Sequence, residues 1–251
     1  MVWALRFPAL RSAGCDYNKG AARVRAMERQ VNILAISDQV EPLLYDPGIR
    51  ERFRHVDLVV SCGDLPDYYL EYIISVLNVP LYGVNGNHDQ RPKESEAAGL
   101  GYALGAVNLH GRVVSAHGLL LAGLEGSPRY NDGPYQYSEA EMRWQVARLV
   151  PWLLANKTRY GRYLDILVTH APPRNIHDEP DRCHRGFAVF RWLLGTFRPR
   201  YHLHGHCHVY NRRTATSTRF GDTLVLNAYG YRELRVPLPG SVALPARPQH
   251  A

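Results

Sequence analysis

The chain has 251 residues, 45% of them hydrophobic and 21% charged, with a formal net charge of +7. Such a length and composition allow one substantial core and exclude a disordered protein, and the lack of any apolar run of about eighteen residues excludes a membrane span. Of the positive charge, +4 lies in residues 1–26, where Arg6, Arg11, Lys19, Arg23 and Arg25 are opposed by Asp16 alone. The remaining +3 forms no basic stripe, which argues against long nucleic acid as a partner and suits a small anionic substrate.

Residues 1–26 are Arg-rich and acid-poor, and are read as a disordered extension. Its source is a start codon assigned upstream of Met27, a natural tail or a targeting segment. Residues 27–238 are expected to form one domain, followed by a disordered Pro-rich tail over 239–251. The four cysteines, Cys15, Cys62, Cys183 and Cys207, have no CxxC spacing, so a reducing, cytoplasmic setting is expected.

Apolar runs at 31–37, 57–62 and 80–84 read as strands buried on both faces. Between the second and third, Leu70, Ile73, Ile74 and Leu77 recur at helical spacing, which gives β-α-β logic and a mostly parallel sheet. Residues 112–124 read as a hairpin turning at His117 and Gly118. Residues 125–137 are rich in Gly, Pro, Asn and Asp and read as a loop. Ser138 and Glu141 form a capping box for a helix whose inner face is Met142, Val146, Leu149 and Leu153, with Pro151 as a kink point. A strand at 165–169, a helix at 186–197, a strand at 201–203 and two closing strands complete the chain. His202, His204 and His117 are read as structural.

This order places Asp38, Asp64, Asn87, His170 and His206 just beyond strand C-termini, the edge where open α/β sheets bind ligands. Carboxylate, amide and imidazole donors suit Mn, Fe and Zn. A two-metal site needs a carboxylate bridging ions about 3.5–4 Å apart, and Asp64 is the candidate bridge.

The ordered motifs Asp38-Gln39-Val40, Gly63-Asp64, Gly86-Asn87-His88-Asp89, His170 and Gly205-His206-Cys207-His208 resemble those of the calcineurin-like metallophosphoesterases. The resemblance runs from Ile33 to about Leu238. It implies an α/β fold, a four-layer αββα sandwich of two packed mixed β-sheets flanked by helices. It also implies hydrolysis of a phosphodiester or phosphomonoester through a metal-activated hydroxide. By position, Asp38, Asp64 and His208 would hold the first of two divalent ions, and Asp64, Asn87, His170 and His206 the second. Mn is the expected ion, with Fe or Zn as alternatives. His88 would be the non-ligand histidine that assists the leaving oxygen, and Asp67 the acid that orients it. Asn87, His88 and Arg129 are candidates to contact substrate. Where the family places a histidine this chain has Val40, which cannot ligate, so a weak first site is expected unless Gln39, Glu41, Tyr45 or Asp46 compensates. Tyr68 likewise stands where some members carry a phosphate-gripping arginine. The alternative is a catalytically degenerate metal-binding scaffold.

Overall fold

In the first strand, β1 (Gln30–Ser37), successive side chains enter two different apolar cores. Ile33 and Ala35 face one, Leu34 and Ile36 the other. This doubly buried pattern sets the layering of the whole chain. The computed structural model describes residues 29–90, 102–211 and 213–239. The expected disordered segments lie outside these residues, Pro239 excepted.

The first half contains α1 (Ile49–Arg52), β2 (Leu58–Ser61), α2 (Asp67–Leu77), β3 (Leu81–Gly83) and β4 (Ala106–Asn108). The second contains β5 (Val113–Ala116), β6 (Leu119–Leu124), β7 (Ser127–Pro128), β8 (Gln136–Tyr137), α3 (Glu139–Tyr160), β9 (Ile166–Thr169), α4 (Ala188–Phe197), β10 (Tyr201–His204), β11 (Ser217–Phe220), β12 (Thr223–Asn227) and β13 (Gly230–Pro237).

One sheet runs β13-β1-β2-β3-β4 and the other β11-β12-β10-β9-β6-β5. Both are mixed: β13, β11 and β5 are antiparallel to their neighbours, while the central strands are parallel. The sheets pack face to face through Ile33, Leu58, Val60, Leu121, Ile166, Val168, Leu203 and Leu226. α1 and α2 cover the outer face of the first sheet, where Ile49, Leu70 and Ile73 meet Leu34 and Val59. α3 and α4 cover the second, where Met142, Val146, Phe190 and Leu194 meet Leu120 and Leu167. The architecture is the expected four-layer sandwich.

The Ser138–Glu141 capping box is present in full. α3 continues through Pro151. Burial of Met142, Val146, Leu149 and Leu153, roughly 1.5–3 kcal/mol each, outweighs the roughly 3 kcal/mol a mid-helix proline costs. The hairpin turn falls at His117 and Gly118, both at positive φ, as a two-residue turn requires. The segment 125–137 is more ordered than its composition suggests. Ser127 and Pro128 pair in parallel with Gln136 and Tyr137. No described helix is long and apolar enough to cross a membrane.

His202 and His204 are fully buried on the helix-covered side of β10. His204 Nε2 lies 2.9 Å from His177 Nδ1, and His177 Nε2 lies 2.8 Å from the Thr218 hydroxyl. His202 Nε2 lies 2.8 Å from the Thr169 hydroxyl. Burial pushes His177 down to about 4, with Arg232 adding to it, and His202 down to about 3, with His177 adding to it. An unfolded histidine protonates near about 6.5. Below that value the unfolded chain binds more protons than the folded one, so these residues withdraw stability as pH falls and withdraw none above it. The stability these residues withdraw should therefore appear as a difference in thermal midpoint between metal-stripped His177→Gln and wild type that is flat above about pH 7 and widens between about pH 6.5 and 4.5, the wild type losing more. A difference between the two proteins that stays constant from about pH 7 down to about pH 4.5 would contradict the assignment.

Candidate metal centre

Both sheets end their parallel strands at one edge, and the polar residues collect there. Asp38 follows β1 directly, His170 follows β9 directly, and His206 lies two residues past β10. Asp38, Asp64 and His206 all adopt left-handed backbone, with φ of 62°, 57° and 68°. The turns are locked from within. Asp38 N–H donates to the Gly63 carbonyl at 3.1 Å, and both Asp38 carboxylate oxygens accept His206 N–H at 3.0 Å. Asp64 Oδ1 accepts His88 N–H at 2.8 Å. Gly86 and Gly205 are needed for close approach. A Cβ at Gly86 would collide with the Asp64 carboxylate, and one at Gly205 with that of Asp38.

The centre of the cluster is a set of acceptors. His170 Nδ1 lies 2.8 Å from the Cys62 carbonyl and His206 Nε2 lies 2.8 Å from the Cys183 carbonyl. A carbonyl only accepts, so both these nitrogens carry hydrogens and the remaining ring nitrogens present lone pairs. Those two nitrogens, His170 Nε2 and His206 Nδ1, face each other at 3.1 Å. Asn87 Oδ1 lies 3.0 Å and Asp64 Oδ2 3.3 Å from His170 Nε2. Four electron-rich atoms this close repel unless positive charge sits among them. A proton on His170 is one source: burial opposes it, but Asp64, Asp38 and the Cys62 carbonyl prevail and raise the imidazole to about 9. Asp64 is correspondingly held down to about 2, since His170 and the His88 N–H outweigh its burial. A divalent cation satisfies the same four atoms and fits their mixed oxygen–nitrogen character. Asp64, His170 and His206 offer ligand atoms within 4.8 Å of one another.

The other half of the centre is more open. Asp38 is wholly shielded, and burial raises its carboxyl pKa against the pull of His170. His208 Nε2 lies 3.8 Å from Asp38 Oδ1, while its Nδ1 lies 2.7 Å from the Tyr210 hydroxyl. Val40 packs into the apolar layer under α1 and α2. Asp46 pairs with Arg52 at 2.8 Å, and Tyr45 packs among Tyr68, Tyr69 and Tyr72, so both are engaged elsewhere.

Asp38, Asp64, Asn87, His170, His206 and His208 are thus brought to one edge. His88 is exposed beside them, its N–H on Asp64. Asp67 is the exposed first residue of α2. Arg129 is not brought to the ligands. Its guanidinium meets both Glu141 oxygens at 3.0 and 2.9 Å and the Gln136 carbonyl at 3.3 Å, beside the cap of α3. Two residues enter to which the sequence reading gave no role in the site. Asp89 Oδ2 accepts Gly86 N–H at 2.7 Å and Asp64 N–H at 3.1 Å, while burial and the charge of Asp64 raise its pKa to about 7. An Asp closing a Gly-Asn-His-Asp turn is a usual turn acceptor, so that signal was available. The Tyr130 hydroxyl accepts a hydrogen bond from Asn87 Nδ2 at 3.1 Å, and a tyrosine in a polar loop carries no such signal. A second ligand-type group, Asp181, Cys183 and His184, lies on the loop before α4, where Asp181 accepts both the Cys183 and the His184 N–H.

The sequence pattern of the calcineurin-like phosphoesterases matches residues 32–210. No curated protein matches the chain. One solved structure superposes with a TM-score of 0.58 at 15% identity, covering 84% of this chain and 100% of that one. The crystal structure of TT1561 of Thermus thermophilus is similar with a TM-score of 0.52 at 16% identity, over 84% of this chain and 100% of that one. At such identities the likeness is one of fold.

Gly86→Ala should push the Asp64 carboxylate out of place. We expect at least a roughly tenfold weaker Mn affinity by calorimetric titration, with unchanged far-ultraviolet circular dichroism. Unaltered affinity would show that the Gly86–Asp64 contact does not set the site.

Proposed function

Because the chain belongs to the calcineurin-like phosphoesterase family, we propose that it is a divalent-metal-dependent phosphoesterase acting on a small phosphate ester, a diester in preference to a monoester. The observation that carries this reading is the convergence of Asp64, Asn87, His170 and His206 on a point that demands positive charge. These four would hold one ion. Asp38, Asp64 and His208 would hold the other more weakly, since Val40 is turned into the apolar layer. Three protein ligands suffice for a catalytic ion. Mn is the proposed ion, with Fe or Zn compatible with the same donors.

When bound, the metal pair supplies Lewis-acid polarisation of the phosphoryl group and lowers the pKa of water. The chain's own residues supply the rest. Asn87, almost fully buried at the floor of the site, would hold the ion through its amide oxygen. His88 stands on the same turn but in solvent, so it can reach the ester oxygen that leaves and give it a proton. Asp89 holds the turn that carries both by gripping the Gly86 and Asp64 N–H groups. The free thiols of Cys62, Cys183 and Cys207 support a cytoplasmic setting. The scaffold reading rests on Val40 alone, and it leaves the exposed, non-ligand His88 without a purpose.

Metal-stripped protein should not hydrolyse bis-p-nitrophenyl phosphate or p-nitrophenyl phosphate, and added Mn should restore turnover. Asp64→Asn should remove it. His88→Ala should lower kcat by roughly 10²–10⁴ with Mn affinity retained. No turnover of either ester with Mn, Fe or Zn would sink the phosphoesterase reading.

A further inference from the structure

Asn87 can serve a cation only through its amide oxygen. Rotating the amide by half a turn would present an NH2 group to the ion instead, and the two orientations have nearly the same shape. Something must fix the choice. Asn87 is almost fully buried, and its Nδ2 donates to the Tyr130 hydroxyl at 3.1 Å while Oδ1 faces His170. Beside it, the Cys183 carbonyl accepts from His206 Nε2 at 2.8 Å and thereby fixes that ring's tautomer.

Tyr130 is itself held in place. The buried Gln136 accepts the backbone N–H of Tyr130 at 3.0 Å and of Asn131 at 3.1 Å through Oε1. The β7–β8 pairing closes the loop behind it. At its base, the buried Glu125 takes Asn85 Nδ2 at 3.1 Å and the Tyr137 hydroxyl at 2.7 Å, tying the loop to the segment that carries Asn87.

We propose that Tyr130 is a positioning residue that sets the donor atom of one metal ligand, its hydroxyl holding the Asn87 NH2 group so that the amide oxygen faces the ion. This rests on the metal-centre reading above. The function of the segment 125–137 then lies in Tyr130, whereas Arg129 serves the helix cap. Groups that orient ligands from behind are typically worth roughly 10–100-fold in metal affinity.

The test is calorimetric titration of metal-stripped full-length protein with Mn alone, comparing wild type, Tyr130→Phe, Asn87→Asp and the double variant. Tyr130→Phe keeps the ring and removes only the hydroxyl. We expect its Mn affinity to fall about tenfold, with the thermal midpoint of the metal-free protein unchanged. Aspartate offers an oxygen in either orientation, so in the Asn87→Asp background the same Tyr130→Phe change should have little effect on affinity. Equal loss in both backgrounds, or wild-type affinity in Tyr130→Phe, would overturn the orienting role and leave the metal centre standing. Failure of the wild type itself to bind Mn would overturn the metal reading and the role of Tyr130 together.

Discussion

His170 imposes the constraint around which the structure is arranged. One ring nitrogen is committed to the Cys62 carbonyl at 2.8 Å, a bond that joins the end of β9 in one sheet to the end of β2 in the other. That commitment leaves the second nitrogen to face Asp64, Asn87 and His206, with a lone pair in the neutral ring and a proton in the charged one. A contact that holds the layers together thus also creates a place where positive charge, a proton or a cation, is required. The surrounding parts serve this one geometry. Gly63 and Gly205 let the turns meet, Asp38 clamps the His206 backbone, and Asp89 closes the turn bearing Asn87.

The two halves of the centre differ in depth. His170 and His206 are buried beneath the loop that carries Cys183, whereas His208 is partly in water and shares its ring with Tyr210. A histidine at position 40 would have had to leave the apolar layer in which Val40 packs. The substitution therefore gains packing at the expense of a ligand, and it leaves the deeper ligand set untouched.

Much of this was legible in the sequence because it rests on local pattern. Doubly apolar runs such as residues 31–37 can only be strands with cover on both sides, and the ligands follow those runs by a residue or two. The cap at Ser138 and the turn at His117 and Gly118 are equally local. What escaped were features set by distant partners. β4 and β11 are short edge strands, and only their neighbours in space make them strands. Arg129 and Tyr130 are adjacent in a polar loop. One residue of register decides that the arginine meets Glu141 and the tyrosine meets Asn87, and no periodicity reports that.

The left-handed backbone at Asp38, Asp64 and His206 has a consequence for how this centre is dissected. Asparagine and aspartate tolerate that conformation better than most side chains, and alanine carries its full steric penalty. Truncation to alanine at these three positions changes two things at once, the donor atom and the shape of the turn that presents its neighbours. At Asp64 the second change would spread to His88, whose N–H it holds, and at His206 to Asp38. Alanine scanning would therefore overstate the worth of each donor. Substituting Asn for either aspartate keeps the left-handed turn and exchanges a charged donor for a neutral amide oxygen, so the Asn variants report the worth of the carboxylate charge with the backbone left in place.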